Sequence, residues 1–135
     1  MGECAKIAMQ LTVADLGVTE AFYSGILELP IRRAFTVGGA PEHLVMRQDG
    51  WELLFVDETA VFRGQPELQE RLVEFPKGVG VVLHIRVEEI EDISDALEEE
   101  GIEILYELKA MPYGMKELWC FDPDGYLLAL EEPWR

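Results

Sequence analysis

Near its C-terminal end the chain reads Lys116-Glu117-Leu118-Trp119-Cys120-Phe121, then Asp122-Pro123-Asp124-Gly125, then Tyr126-Leu127-Leu128-Ala129-Leu130-Glu131. Two such runs around that turn form a β-hairpin, because Pro presets φ and Gly takes the φ > 0 position that L-residues resist. The signal occurs once before. Asp49-Gly50-Trp51-Glu52-Leu53-Leu54 matches Asp124-Gly125-Tyr126-Leu127-Leu128-Ala129 in its Asp-Gly-aromatic start, an offset of 75 from Asp49 to Asp124. The chain reads as a duplication.

The rest of the pattern repeats in the same order. Ile7 to Val13 alternates bulky apolar residues at odd positions with small or polar ones at even positions, the period of a half-buried strand. Val18, Phe22, Ile26 and Leu29 then stripe a helix closed by Pro30. Strand-like runs follow at Ile31 to Val37, at His43 to Gln48 beyond a Gly38-Gly39-Ala40-Pro41 turn, and at Trp51 to Asp57. In the second half Val81 to Val87 is a strand, and Ile90, Ile93 and Leu97 stripe a helix stopped by Gly101. Ile102 to Leu108, Lys116 to Phe121 and Tyr126 to Glu132 supply three more strands. Aligning Val13 with Val87 gives an offset of 74, so one register nearly superimposes the halves. Residues 58–78 lack strand alternation and hold a short helix at Pro66 to Leu72, with Pro in its first turn. The expectation is an α+β fold: one domain of two tandem βαβββ modules, residues 5–57 and 79–132, joined by the connector 58–78. Together the modules form a curved mixed sheet with an open cleft.

At 135 residues the chain is long enough to bury an ordinary core without staples. Cys4 and Cys120 show no ligand spacing, so a reduced buried thiol and a cytoplasmic setting are expected. Residues 1–10 lack a basic stretch followed by an apolar run, and no apolar run approaches the roughly 18 residues of a membrane span. The 27 acidic against 11 basic residues give a net charge of −16, which repels phosphate backbones and anionic headgroups and disfavours nucleic acid and membrane partners. Much of the excess lies in Glu88 to Glu100, read as a solvated helix face.

One face of each strand packs against a helix, leaving the other for a ligand. Parity puts Ile7, Met9, Leu11 and Val13 inside, with Trp51, Leu53, Phe55, Leu83, Ile85, Val87, Leu118, Cys120, Tyr126, Leu128 and Leu130. The open face then carries Gln10, Thr12, Glu52, His84, Arg86, Glu117 and Glu131 as polar groups, with Trp119 and Phe121 as flat apolar surfaces. A few polar groups among aromatic walls is the composition of a small-molecule pocket. Arg86 is placed to pair with Glu52 or Glu131, and the loop Ala110 to Gly114, carrying Tyr113, is placed to act as a lid.

Leu11-Thr12-Val13-Ala14-Asp15-Leu16, Ala21-Phe22-Tyr23 and Leu27-Glu28-Leu29-Pro30, with Pro112-Tyr113-Gly114-Met115-Lys116-Glu117 leading into Asp122-Pro123-Asp124-Gly125-Tyr126, give the chain its resemblance. It resembles the vicinal oxygen chelate superfamily of glyoxalases, extradiol dioxygenases and bleomycin-resistance proteins. Glu28 stands where that family usually ends its helix with glycine. The resemblance implies metal ligands on the open face of four strands, and those positions fall on Ala8, Val82, Ala129 and either Leu54 or Glu52. At least three lack a donor atom, so no metal, no cofactor and no catalytic residue is expected.

The resemblance is nearest to the non-metal bleomycin-resistance branch and implies a two-fold homodimer. The function expected is a protein that binds and sequesters a cationic or aromatic small molecule, an antibiotic or a metabolite. Its ligand-binding residues would be Gln10, Thr12, Glu52, His84, Arg86, Tyr113, Glu117, Trp119, Phe121 and Glu131. Two readings of other classes stand beside it. One is a lyase, isomerase or dioxygenase-type enzyme with a relocated metal or with His84 as general base oriented by Glu52. The other is an acidic module that docks a partner protein.

Overall fold

The computed structural model describes residues 7–34, 42–48 and 50–134. Its contacts divide the chain into two compact units, Met1–Gly25 with Leu29–Glu74, and Ile26–Glu28 with Phe75–Arg135. The fold class is the one the sequence implies: α+β, two repeated βαβββ modules, each with an open four-stranded mixed sheet.

In the first unit β1 (Ile7–Val13) leads into α1 (Leu16–Glu20), a π-helical turn (Ala21–Ile26), β2 (Ile31–Ala34), β3 (His43–Gln48) and β4 (Trp51–Asp57). The sheet order is β1-β4-β3-β2, with β1 parallel to β4 and the other pairs antiparallel. α1 starts where Asp15 caps it, its Oδ1 accepting the Val18 amide at 3.0 Å. Leu11, Val13, Phe22, Leu44 and Phe55 are buried around Tyr23, whose ring meets Phe22 edge-on at 5.1 Å and Phe55 at 4.8 Å. Arg33 ties the layers together at 2.8 Å from both Glu20 and Glu42.

The second unit repeats the topology. β5 (Val82–Arg86), α4 (Ile90–Glu99), β6 (Ile104–Ala110), β7 (Met115–Phe121) and β8 (Leu127–Pro133) form a sheet ordered β5-β8-β7-β6, again with one parallel pair, β5 with β8. Ile90, Ile93 and Leu97 of α4 are buried, as their spacing predicts, with Leu83, Ile85, Leu118, Leu128 and Leu130. α4 has no capping side chain of its own. The Glu132 carboxylate on β8 serves instead, accepting the amides of Glu89 at 3.0 Å and Ile90 at 3.1 Å.

Both helices end in a left-handed residue, one on glycine and one not. After α4 the amide of Ile102 bonds the Leu97 carbonyl at 3.0 Å and that of Gly101 bonds Glu98 at 3.1 Å, a Schellman closure with Gly101 at φ +70°. After the π-helical turn Glu28 takes that place at φ +55°, and the amide of Leu29 reaches back one residue further, to the Tyr23 carbonyl at 3.0 Å. The extra residue is the π-helical turn, which lets one more residue into the helix without moving its ends. It also resets the buried stripe, which runs through Leu16, Thr19, Phe22, Tyr23 and Leu27. Val18, expected inside, is exposed.

Three other expectations are corrected. Ile7 and Trp51 are about half exposed despite their parity, because burial along β1 begins only at Leu11 and the helical layer does not reach the strand starts. The connector holds an unanticipated helix, α2 (Glu58–Gly64), before a 3₁₀ turn (Pro66–Leu68) and α3 (Gln69–Leu72). Its signal was legible: Asp57 caps it at 2.8 Å from the Thr59 amide, Glu58 opens it and Arg63 lies in its last turn. β6 starts at Ile104 because the Schellman closure holds Ile102. Cys4, Asp49, the 38–41 turn and the end of the second strand lie outside the described residues.

The Asp122-to-Tyr126 turn is held from within, with Asp122 Oδ1 accepting the amides of Asp124 at 2.9 Å and Tyr126 at 3.0 Å. The end of the connector lies on it: the Lys77 amide bonds the Asp124 carbonyl at 3.0 Å, and a Cβ at Gly125 would sit 2.6 Å from Pro76 Cβ. Cys120 is fully buried between β6 and β8, and burial, with Asp122 second, pushes its thiol up to about 12, leaving it inert.

Candidate functional site

The register of the second sheet sorts the face away from α4 into three rows. Val82, Leu127 and Phe121 form an apolar row. His84, Ala129, Trp119 and Tyr106 form an aromatic row, and Arg86, Glu131, Glu117 and Lys109 a charged one. The opposite face is identified by Lys116, which pairs with Glu91 on α4, and by Glu132, which caps that helix.

Within the aromatic row Ala129 is fully buried, and its small side chain lets the rings on either side meet above it. His84 stands edge-on to Trp119 at 5.9 Å and 84°, and Tyr106 meets Trp119 at 5.5 Å and 70°. In the charged row two carboxylates lie directly opposite each other, which like charges disfavour. Each has its own donors. His84 Nδ1 lies 2.8 Å from Glu131 Oε2. Glu117 accepts from the Tyr113 hydroxyl on one oxygen and from Trp119 Nε1 at 3.3 Å on the other. The Tyr113 phenol is pushed up to about 12, first by that hydrogen bond, then by desolvation and the charges of Glu117 and Glu131.

The loop that brings Tyr113 to Glu117 is tied down rather than free to act as a lid. Met111 and Met115 close it at 2.7 Å and Gly114 returns to Met111 at 3.1 Å, while Trp134 reaches Gly114 at 3.0 Å and, through its indole, Met111 at 3.2 Å.

Of the ten expected ligand-binding residues, His84, Arg86, Glu117, Trp119, Phe121 and Glu131 share this face, with Tyr113 beside them. Among the described residues Arg86 has no ion-pair partner; Glu131 takes His84, and Glu52 takes Arg47. Gln10 and Glu52 lie on the corresponding face of the first unit, in rows with Leu54 and with Ala8 and Arg47. Thr12 shares that face by register but is buried, so it offers no surface; α2 packs on β1 and β4. His84 is thus oriented by Glu131, a residue 47 positions along the chain, where Glu52 had been expected. Tyr106 and Lys109 went unanticipated because β6 has register shifts on both sides of Tyr106–Trp119, which break its alternation.

The donor set does not fit a metal. Ala8, Val82, Ala129 and Leu54 carry no ligand atom, and the Glu52 carboxylate is held by the Arg47 guanidinium. Among the described residues no three His, Cys, Asp or Glu side chains are grouped to hold an ion.

Two repeated βαβββ modules, each an open four-stranded mixed sheet, give the class of fold, α+β. The family model of the Glyoxalase/Bleomycin resistance protein/Dioxygenase superfamily matches residues 5–130, and the chain belongs to that superfamily. No curated protein matches the sequence. Similar solved structures include a hypothetical protein of S. aureus at 13% identity and TM-score 0.70, covering 97% of this chain and 95% of that one. Another is a glyoxalase/bleomycin resistance protein/dioxygenase of Alicyclobacillus acidocaldarius, at 15% identity and TM-score 0.56, with 95% and 90% covered. TioX from a Micromonospora strain is similar at 12% identity and TM-score 0.60, with 98% and 100% covered. At these identities the likeness is one of fold. Among the described residues no helix is long and apolar enough to cross a membrane.

Proposed function

We propose that this protein binds a flat, cationic or aromatic small molecule on the open face of its second module and sequesters it without a metal. One observation carries the reading: two facing carboxylates, Glu117 and Glu131, sit beside the rings of Trp119, His84 and Tyr106. A planar cation gains from both halves of that arrangement, stacking or cation–π contact contributing about 0.5–2 kcal/mol per ring and the carboxylates supplying opposite charge. The superfamily's bleomycin-resistance members lend support to sequestration as the purpose. A homodimer in the reducing cytoplasm is the setting this reading assumes.

A thermal-shift panel of aromatic cations, including cationic antibiotics, tests it. A ligand at 100 times its Kd adds about 2.7 kcal/mol of stability. The shift is expected to disappear in Glu131→Gln and in Trp119→Val. If no cation raises the melting temperature, or if the rise survives both substitutions, the reading fails.

A further inference from the structure

The pair His84–Glu131 does more than present charge. A carboxylate accepts, so the 2.8 Å contact places a proton on Nδ1 of the imidazole, and in the neutral ring the lone pair is then the one on Nε2. Glu131 is 17% exposed while His84 is 53% exposed, so the orienting carboxylate is the more shielded of the two and the imidazole the more accessible. Arg86 lies on the same face two residues along β5, about 7 Å by strand geometry. Among the described residues its guanidinium has no ion-pair partner. An oriented base, a free cation within one small molecule's length of it and an aromatic wall at Trp119 are the parts of a site that ionises a carbon acid.

We propose that His84, positioned by Glu131, is the general base of a metal-free proton transfer on an aromatic carbonyl compound, with Arg86 taking the charge that develops on oxygen. The proposal rests on the binding reading in one respect: the substrate occupies the same face. His84 Nε2 takes a proton from the carbon next to the carbonyl. The C–H electron pair becomes the C=C bond of an enolate, and the carbonyl π pair moves to the oxygen beside Arg86. The imidazolium then returns the proton to the same carbon or to its conjugated neighbour. The net change is isomerisation, epimerisation or exchange with solvent, and no oxidant, reductant or metal is consumed.

The probe is 2-tetralone, a ketone fused to a flat benzene ring, followed by deuterium uptake in D₂O at C1, the benzylic carbon next to its carbonyl, with its binding measured separately by equilibrium dialysis. The full-length protein is expected to exchange it faster than buffer, and His84→Gln, at an exposed position, to lower that rate at least about 100-fold. Arg86→Gln is expected to lower kcat. Glu131→Gln is expected to lower the rate roughly tenfold and to move the His84 ¹⁵N signals from the Nδ1–H tautomer toward Nε2–H, a signature that a merely structural role would not produce. Binding without exchange, or exchange that survives His84→Gln, overturns the proton transfer and leaves the binding reading standing. Absence of both overturns the inference and counts against the face as a binding site.

Discussion

The two modules have the same strand order and the same pairing senses, yet their open faces carry different chemistry. Position for position in the register, Gln10 answers to His84 and Thr12 to Arg86. Leu54 answers to Ala129, Val56 to Glu131, Val45 to Trp119 and His43 to Glu117. Backbone geometry follows from alternation, hairpin turns and a helix that covers one face, and these survive nearly any exchange on the other face. The second module has a bare floor at Ala129, which lets His84 and Trp119 meet; the first has Leu54 there. Three exchanges in one row, Gln10 for His84, Leu54 for Ala129 and Val45 for Trp119, separate a face without rings from one where two rings meet.

The largest expected difference lies in the two Asp-Gly turns. Gly50 and Gly125 have almost the same φ, +86° and +88°. A Cβ at Gly50 meets nothing within 4 Å, while one at Gly125 meets Pro76 Cβ at 2.6 Å and Pro76 Cα at 2.9 Å. Gly50→Ala is therefore expected to cost about 1–2 kcal/mol, the left-handed penalty alone. Gly125→Ala adds a backbone clash and is expected to cost about 3–4 kcal/mol. Urea denaturation of the two variants measures both, and equal losses would show that the connector does not pin the second turn.

A smaller difference separates the helix ends. Gly101→Ala meets no atom within 4 Å and is expected to cost about 1 kcal/mol through its φ of +70°. At the matching position Glu28→Gly removes a left-handed side chain and is expected to stabilise by up to about 1 kcal/mol. The same denaturation curves test this pair, and a destabilised Glu28→Gly would mean that the Glu28 side chain has a role its backbone conceals.

The smallest effect is a titration. With the Tyr113 phenol raised to about 12 by Glu117, the contact contributes stability that is complete below the ordinary tyrosine pKa of about 10 and is lost as pH rises through about 12. Absorbance at 295 nm is expected to show one late-ionising tyrosine that returns to the ordinary range in Glu117→Gln. If the late step persists in that variant, the hydroxyl is held by something else.

Much of this fold was legible because its signals are local. The Asp122-to-Tyr126 turn, the alternation in β5, β7 and β8 and the stripe of α4 depend on neighbours a few residues away, and the structure reproduces them. Where a local rule was interrupted, the reading slipped. The π-helical residue moved the buried stripe off Val18, and the irregular register of β6 hid Tyr106 and Lys109.

The sequence by itself determined the duplication, the strand order of events along the chain and the sorting of Trp119, Glu117, Glu131 and His84 onto one face, since a period of two leaves a strand no other choice. Tertiary structure alone decided the partners: Glu131 rather than Glu52 for His84, Glu132 as the cap of α4, and burial for Thr12. Which side chains meet depends on which strands become neighbours and in what register, and that is fixed only when the whole sheet closes its hydrogen bonds.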